Sequence, residues 1–194
     1  MRLLAAALAT GLLTGAAAAQ VTPDNARSFQ RKLAAIIQNG EAPASAERRT
    51  TVSEAEVNAY LRFGAADRLP VGVTEPSVGI ESRGRLNGRA IVDLDLIRQQ
   101  RGTGGWLDPV SYLTGRVPIT ASGVLETNAG RGRFTLETAE VAGVPIPKPV
   151  LQEIVSFYTR TPATPHGIDI DAPFELPAAI QRIDVERGQA TIVQ

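Results

Sequence analysis

The chain contains no cysteine. No disulfide can staple it, no thiolate can serve as nucleophile or metal ligand, and no N-terminal cysteine is available to carry a lipid after processing. Aromatic residues make up only 5%, with a single tryptophan and a single histidine. Any Ser-His-Asp scheme therefore falls to His166, and there is no G-x-S-x-G elbow beside it. An excess charge of either sign is also missing, since 20 basic side chains face 20 acidic ones. That balance argues against nucleic acid as a partner, which calls for a basic surface. Lysine is nearly absent, with arginine ahead by eighteen to two. The bias reads first as genomic base composition and second as a supply of bidentate grips for phosphate or carboxylate head groups. No long repeat recurs, which excludes solenoid and propeller architectures.

What is present begins with an export signal at residues 1–19. Arg2 gives the positive start, Leu3 to Leu13 the apolar core, and Ala17-Ala18-Ala19 before Gln20 the small-residue cleavage site. The alternative is an uncleaved anchor, but the core falls short of the roughly twenty apolar residues a spanning helix needs. Cleavage after Ala19 removes only Arg2 among the charged residues, leaving 19 basic and 20 acidic side chains in the mature chain. The expected location is periplasmic or secreted. Residues 20–50 read as an N-terminal helix and linker, and residues 51–194 as a single α+β domain against which that helix packs.

Thr22 caps a helix that Pro23 opens, with Phe29, Leu33, Ile36 and Ile37 at helical spacing and Asn39-Gly40 at its end. Ser53 and Glu56 form a capping box for a second helix running to Phe63. From Leu69 to Arg83 the pattern is that of a strand interrupted by Pro76, which favours an edge or a bend. The run 84–97, GRLNGRAIVDLDLI, sets Leu86, Gly88, Ala90, Val92, Leu94 and Leu96 against Arg85, Asn87, Arg89, Asp93 and Asp95. It is predicted as one long half-buried strand. Asp108-Pro109 caps a short helix to Leu113, near Trp106, which reads as a packed anchor or as a residue at a cavity mouth or membrane interface. Val117 to Leu125 and Phe134 to Leu136 form a hairpin about Asn128-Ala129-Gly130, with a bulge or bend expected near Ala139 to Val141. Pro149 opens a third amphipathic helix with Val150, Leu151, Ile154, Val155 and Tyr158, and a closing hairpin turns at Arg187-Gly188.

Catalytic and metal chemistry find little footing. His166 projects away from Asp169 and Asp171 if the segment is extended. Asp93 and Asp95 share a face as glycosidase carboxylates do, but Arg85 and Arg89 share it too, which reads as a solvated, charge-paired surface. Gly102-Thr103-Gly104-Gly105 lacks the lysine and spacing of a phosphate loop. No catalysis, cofactor or metal is expected.

The order of signals resembles the TULIP-like class, tubular lipid-binding proteins of bacterial envelopes related in shape to bactericidal permeability-increasing protein. The likeness covers about residues 50–194. It rests on E-x-N-A-Y-L, from Glu56 to Leu61, and on the terminal L-P-x-x-I-x-x-I-x-V-x-x-G, from Leu176 to Gly188. It implies a long, curved antiparallel sheet wrapped around amphipathic helices, with an acyl chain or similar apolar ligand between them. The chain departs from lipoprotein members in lacking their cysteine, and the class transfers no ligand residue. From the apolar faces, the expected lining is Leu86, Val92, Leu94, Val117, Ile119, Leu125, Phe134 and Leu136, with Ile154, Val155 and Tyr158 on the facing helix. The helices starting near Asp24, Ser53 and Pro149 are expected to lie in or across that face. A peripheral membrane contact is compatible with this reading, and no protein partner is indicated. The alternative is a structural or interaction module whose sheet is filled by its own side chains.

Overall fold

The computed structural model describes residues 21–42, 46–101, 114–162 and 164–194. The expected signal, Trp106, the short helix capped by Asp108 and residues 102–105 of the loop expected over 99–105 lie outside the described residues, while residues 99–101 of that expected loop are helical. The elements in order are α1 (Pro23–Glu41), β1 (Arg49–Ser53), α2 (Glu54–Phe63), a 3-10 turn (Ala66–Arg68), β2 (Val73–Ile80), β3 (Arg85–Asp93) and α3 (Leu94–Arg101). There follow β4 (Arg116–Asn128), β5 (Arg131–Val141), β6 (Val144–Pro145), α4 (Lys148–Thr159), β7 (Phe174–Glu175), β8 (Arg182–Glu186) and β9 (Gln189–Val193). The fold is α+β. One antiparallel sheet of three strands runs β1-β9-β8, and a larger open one of six strands runs β2-β3-β4-β5-β6 with β7 also on β5.

Local chemistry accounts for most boundaries. Thr22 Oγ1 accepts from Asn25 N at 3.3 Å, and the capping box closes both ways, Glu56 N to Ser53 Oγ at 3.2 Å and Ser53 N to Glu56 Oε2 at 2.8 Å. Three hairpins of the large sheet turn on pairs with positive φ, Arg83-Gly84, Ala129-Gly130 and Ala142-Gly143, the mirror-image turns that match strand twist. The expected bulge appears two residues early. Gly123 faces Leu136 and Ser122 faces Thr138, leaving Glu137 as the extra residue. A second irregularity between Thr74 and Ser77 holds Pro76, the predicted bend, and Glu75 with φ of 52°.

The strand predicted over 84–97 ends at Asp93, where α3 begins. Asp93 Oδ1 accepts from Leu96 N at 3.0 Å, as an N-cap does. The run Asp-Leu-Asp-Leu alternates, yet it equally supplies a cap and a first helical turn. Leu94 is consequently buried at the head of α3 instead of standing on the sheet face.

The main core cluster belongs to the small sheet. Ile36, Val52, Ile180, Ala190 and Ile192 are buried together, with Phe29, Val57, Leu176 and Ile183 packed around them. Two of the three helices expected across the large sheet, α1 and α2, are placed differently, because this core engages them. Helix α1 packs along α2 and on β1, and α2 runs against β2, the edge strand of the large sheet. Phe29 and Tyr60 bring their ring centroids to 5.0 Å between the two helices. Gln194 Nε2 donates to Ile36 O at 2.7 Å and Ala178 O at 2.6 Å, closing the end of α1 onto the C-terminus.

Two consequences are measurable. A Cβ on Gly40 would sit 2.5–2.6 Å from the Ala178 backbone. Alanine gains about 1 kcal/mol over glycine in a helix, but forcing α1 off a fixed backbone costs about 1–3 kcal/mol. Gly40→Ala is therefore expected to lower stability in urea titration by about 1 kcal/mol; a higher midpoint would show that the approach yields freely.

The second concerns Glu56, which is 8% exposed. It accepts from Ser28 Oγ at 2.6 Å and from Lys32 Nζ at 2.8 Å, besides its bond from Ser53 N. Burial pushes its carboxyl pKa up. The hydrogen bonds from Lys32, Ser28 and Ser53 N, with the Lys32 charge, outweigh burial and hold it below the ordinary 4.5. A depressed folded pKa contributes stability that is full above the unfolded value and vanishes as pH falls through the folded one. Glu56→Gln is thus expected to flatten the acid side of the stability–pH curve below about 4.5. Urea midpoints taken at steps of pH test this, and a slope equal to that of the wild type would remove Glu56 from the account.

Candidate functional site

The register of the large sheet assembles one apolar face. Val92 faces Val117, Ala90 faces Ile119, Gly88 faces Ala121 and Leu86 faces Gly123. On the far side of β4, Gly123 faces Leu136, Leu125 faces Phe134 and Ile119 faces Val141. Residues directly opposed in an antiparallel pair project to the same side. Leu86, Val92, Val117, Ile119, Leu125, Phe134 and Leu136 therefore stand together, as their alternation predicts. All seven are half-buried. Small residues at Gly88, Ala90, Ala121 and Gly123 lower the floor between them, and the Phe134 ring occupies the space above Gly123, 2.6 Å from where a Cβ would sit.

The other face is polar. Arg85, Asn87 and Arg89 are exposed, Arg85 pairs with Glu137, and the Ser122 and Thr138 hydroxyls meet at 2.7 Å. Asp95, expected here, instead accepts from Gly115 N at 2.9 Å beyond the end of the strand. These carboxylates serve the backbone around α3.

From the facing helix, Ile154 and Val155 are half-buried on α4, which meets the sheet at β5. Tyr158 belongs to α4, but its side chain lies outside the described residues. The Gln152 amide fastens α4 to the returning chain, donating to Ile168 O at 2.9 Å and accepting from Ile170 N at 2.9 Å. Lys148 Nζ lies 2.7 Å from Asp171 Oδ1, and a groove of about 460 Å³ opens between these residues.

A larger groove, about 750 Å³, runs between α2 and the irregular part of β2. Its apolar walls include Leu61, Leu69, Val73 and Pro76, and its polar ones Asn58, Arg62 and Glu75. A polar cleft of about 430 Å³ lies by Glu47, Arg182 and Gln194. None of the ten expected lining residues whose side chains are described lines any of these three grooves. Pro76, which in the sequence favours an edge or a bend, is the one signal for the large groove, and β2 is an edge strand. Leu61 and Leu69 gave none, since they meet β2 only in the folded chain.

His166 is exposed, Asp169 accepts from Asp171 N at 2.9 Å, and Asp171 is paired with Lys148. Among the described residues no three His, Asp or Glu side chains are placed to hold a metal ion. No described helix is long and apolar enough to cross a membrane. No family model matches the chain, and no curated protein matches it.

Proposed function

We propose that this chain is an exported cell-envelope protein that binds or carries a lipid or other apolar ligand on the apolar face of its large sheet, without catalysing a reaction. The observation that carries the reading is that face. It runs in register across β3, β4 and β5, and its large side chains stay half-buried while the small sheet holds the main buried cluster. An extended apolar surface of this kind marks a site of interaction. TULIP-like curvature draws support from the bulges at Glu137 and at Glu75-Pro76, which bend long strands. Export draws support from Arg2, the apolar run Leu3 to Leu13 and the alanines before Gln20.

A structural or interaction module is the second reading. The separate core around Ile36 and Ile192 favours it, because that unit needs no ligand to pack. Native mass spectrometry of protein purified from its own envelope separates the two. A co-purifying lipid mass is expected; a clean apo mass, with delipidated protein that takes up no palmitate, would leave the module.

A further inference from the structure

We infer that the 750 Å³ groove beside β2 is the head-group end of the ligand site, and that it takes the anionic head and first methylenes of a single-chain amphiphile such as an alkyl carboxylate or alkyl phosphate. The inference rests on the apolar-ligand reading and adds the ligand's class and orientation to it.

Val73 joins the two regions. It lines the groove and faces Val92 across the ladder, and Val92 in turn faces Val117. The row Val73, Val92 and Val117 thus leads from the groove onto the apolar face without a polar break. The volume falls among those of sites for small organic ligands, about 300–1,000 Å³.

The charges decide the head group. Asn58 is occupied, its amide donating to Val78 O at 2.7 Å and accepting from Val78 N at 2.8 Å. Glu75 is held by Arg116, 3.4 Å away. Arg62 is different. Among the described residues it pairs with no carboxylate, and its guanidinium lies 5.4 Å from the centroid of the Phe63 ring. The groove therefore offers one uncompensated guanidinium beside apolar walls, the complement of a carboxylate or phosphate on an alkyl chain. Glu75, at a φ of 52°, and Pro76 sit where β2 leaves its regular register. Bulges and strained residues of this kind gather at ligand sites.

The test uses delipidated mature protein and three probes, palmitate, hexadecyl phosphate and hexadecanol, with affinities from titration calorimetry. Wild type is expected to prefer both anions to the alcohol. Arg62→Gln is expected to cut that preference about tenfold, the scale of one charge-assisted hydrogen bond, and Arg62→Lys to restore part of it. Leu69→Trp, which fills the groove, is expected to weaken all three probes, with far-ultraviolet circular dichroism confirming the fold. An anion preference that survives Arg62→Gln, or unaltered binding in Leu69→Trp, would overturn the inference while leaving an apolar-ligand protein. Failure of the wild type to bind any probe would remove the apolar-ligand reading, and this inference with it.

Discussion

Asn58→Leu is expected to lower the unfolding free energy by roughly 2–3 kcal/mol, since two backbone groups each lose a partner worth about 1–3 kcal/mol when left unmade. The reason lies at the outer edge of β2. An edge strand presents a row of unpaired N–H and C=O groups. Here that edge is closed by other elements: Asn58 takes both groups of Val78, Glu54 Oε2 accepts from Ile80 N at 2.7 Å, and Gly188 N donates to Ile80 O at 2.8 Å. A planar amide at one helical position thus stands in for a neighbouring strand. Leucine fills similar volume and offers neither donor nor acceptor. Urea denaturation reads the loss, and hydrogen exchange locates it at the Val78 amide. Asn58→Asp keeps the acceptor for Val78 N but sets an oxygen against Val78 O, so it is expected to fall between wild type and leucine. A leucine variant as stable as the wild type would show that water serves this edge equally well.

Ile119→Glu is expected to abolish binding of alkyl ligands, a fall of a hundredfold or more, while changing stability by less than about 1 kcal/mol. Ile119 is central to the apolar face, flanked by Ala90 on β3 and Val141 on β5, and it is half-buried. In the free protein a carboxylate there reaches water. Beneath an acyl chain it would be stripped of water with no partner, at a cost of several kcal/mol. Palmitate titration and a urea melt on the same sample give both readings. The two numbers also separate the rival functions. If the face were filled by the protein's own side chains, the same carboxylate would be trapped in a core, and the variant would lose several kcal/mol of stability or fail to fold.

Features whose causes lie within a few residues are legible in the sequence. The Thr22 cap and the Ser53–Glu56 box are side chains bonding to backbone no more than three positions away, so their spacing is their structure. The hairpin turns at Gly84, Gly130 and Gly188 follow from glycine's freedom at positive φ. Alternation over 86–92 and 117–136 fixed which side chains share a face, because the period of a strand is two and the register preserved it. A slip in that alternation near Ala139 to Val141 announces an irregularity, and the bulge itself falls at Glu137.

What each apolar surface covers is settled by contacts between distant parts of the chain. Leu94 and Leu96 continue the pattern of β3, yet Asp93 caps a helix there, held by Gly72 O and followed by a bond from Leu94 N to Gly115 O. Those partners come from distant parts of the chain, and no local pattern announces them. Likewise the E-x-N-A-Y-L motif could be recognised but not explained. Glu56 meets Lys32, Asn58 completes β2, Ala59 is fully buried and Tyr60 stacks on Phe29. Periodicity shows that α1 and α2 each have an apolar stripe. Which sheet receives the stripe depends on shape and on polar anchors such as Gln194 and Asn58, and these drew the helices to the small sheet and the edge of β2. The apolar face of the large sheet was thereby left half-buried, and the groove at Val73, Leu61 and Leu69 formed beside it.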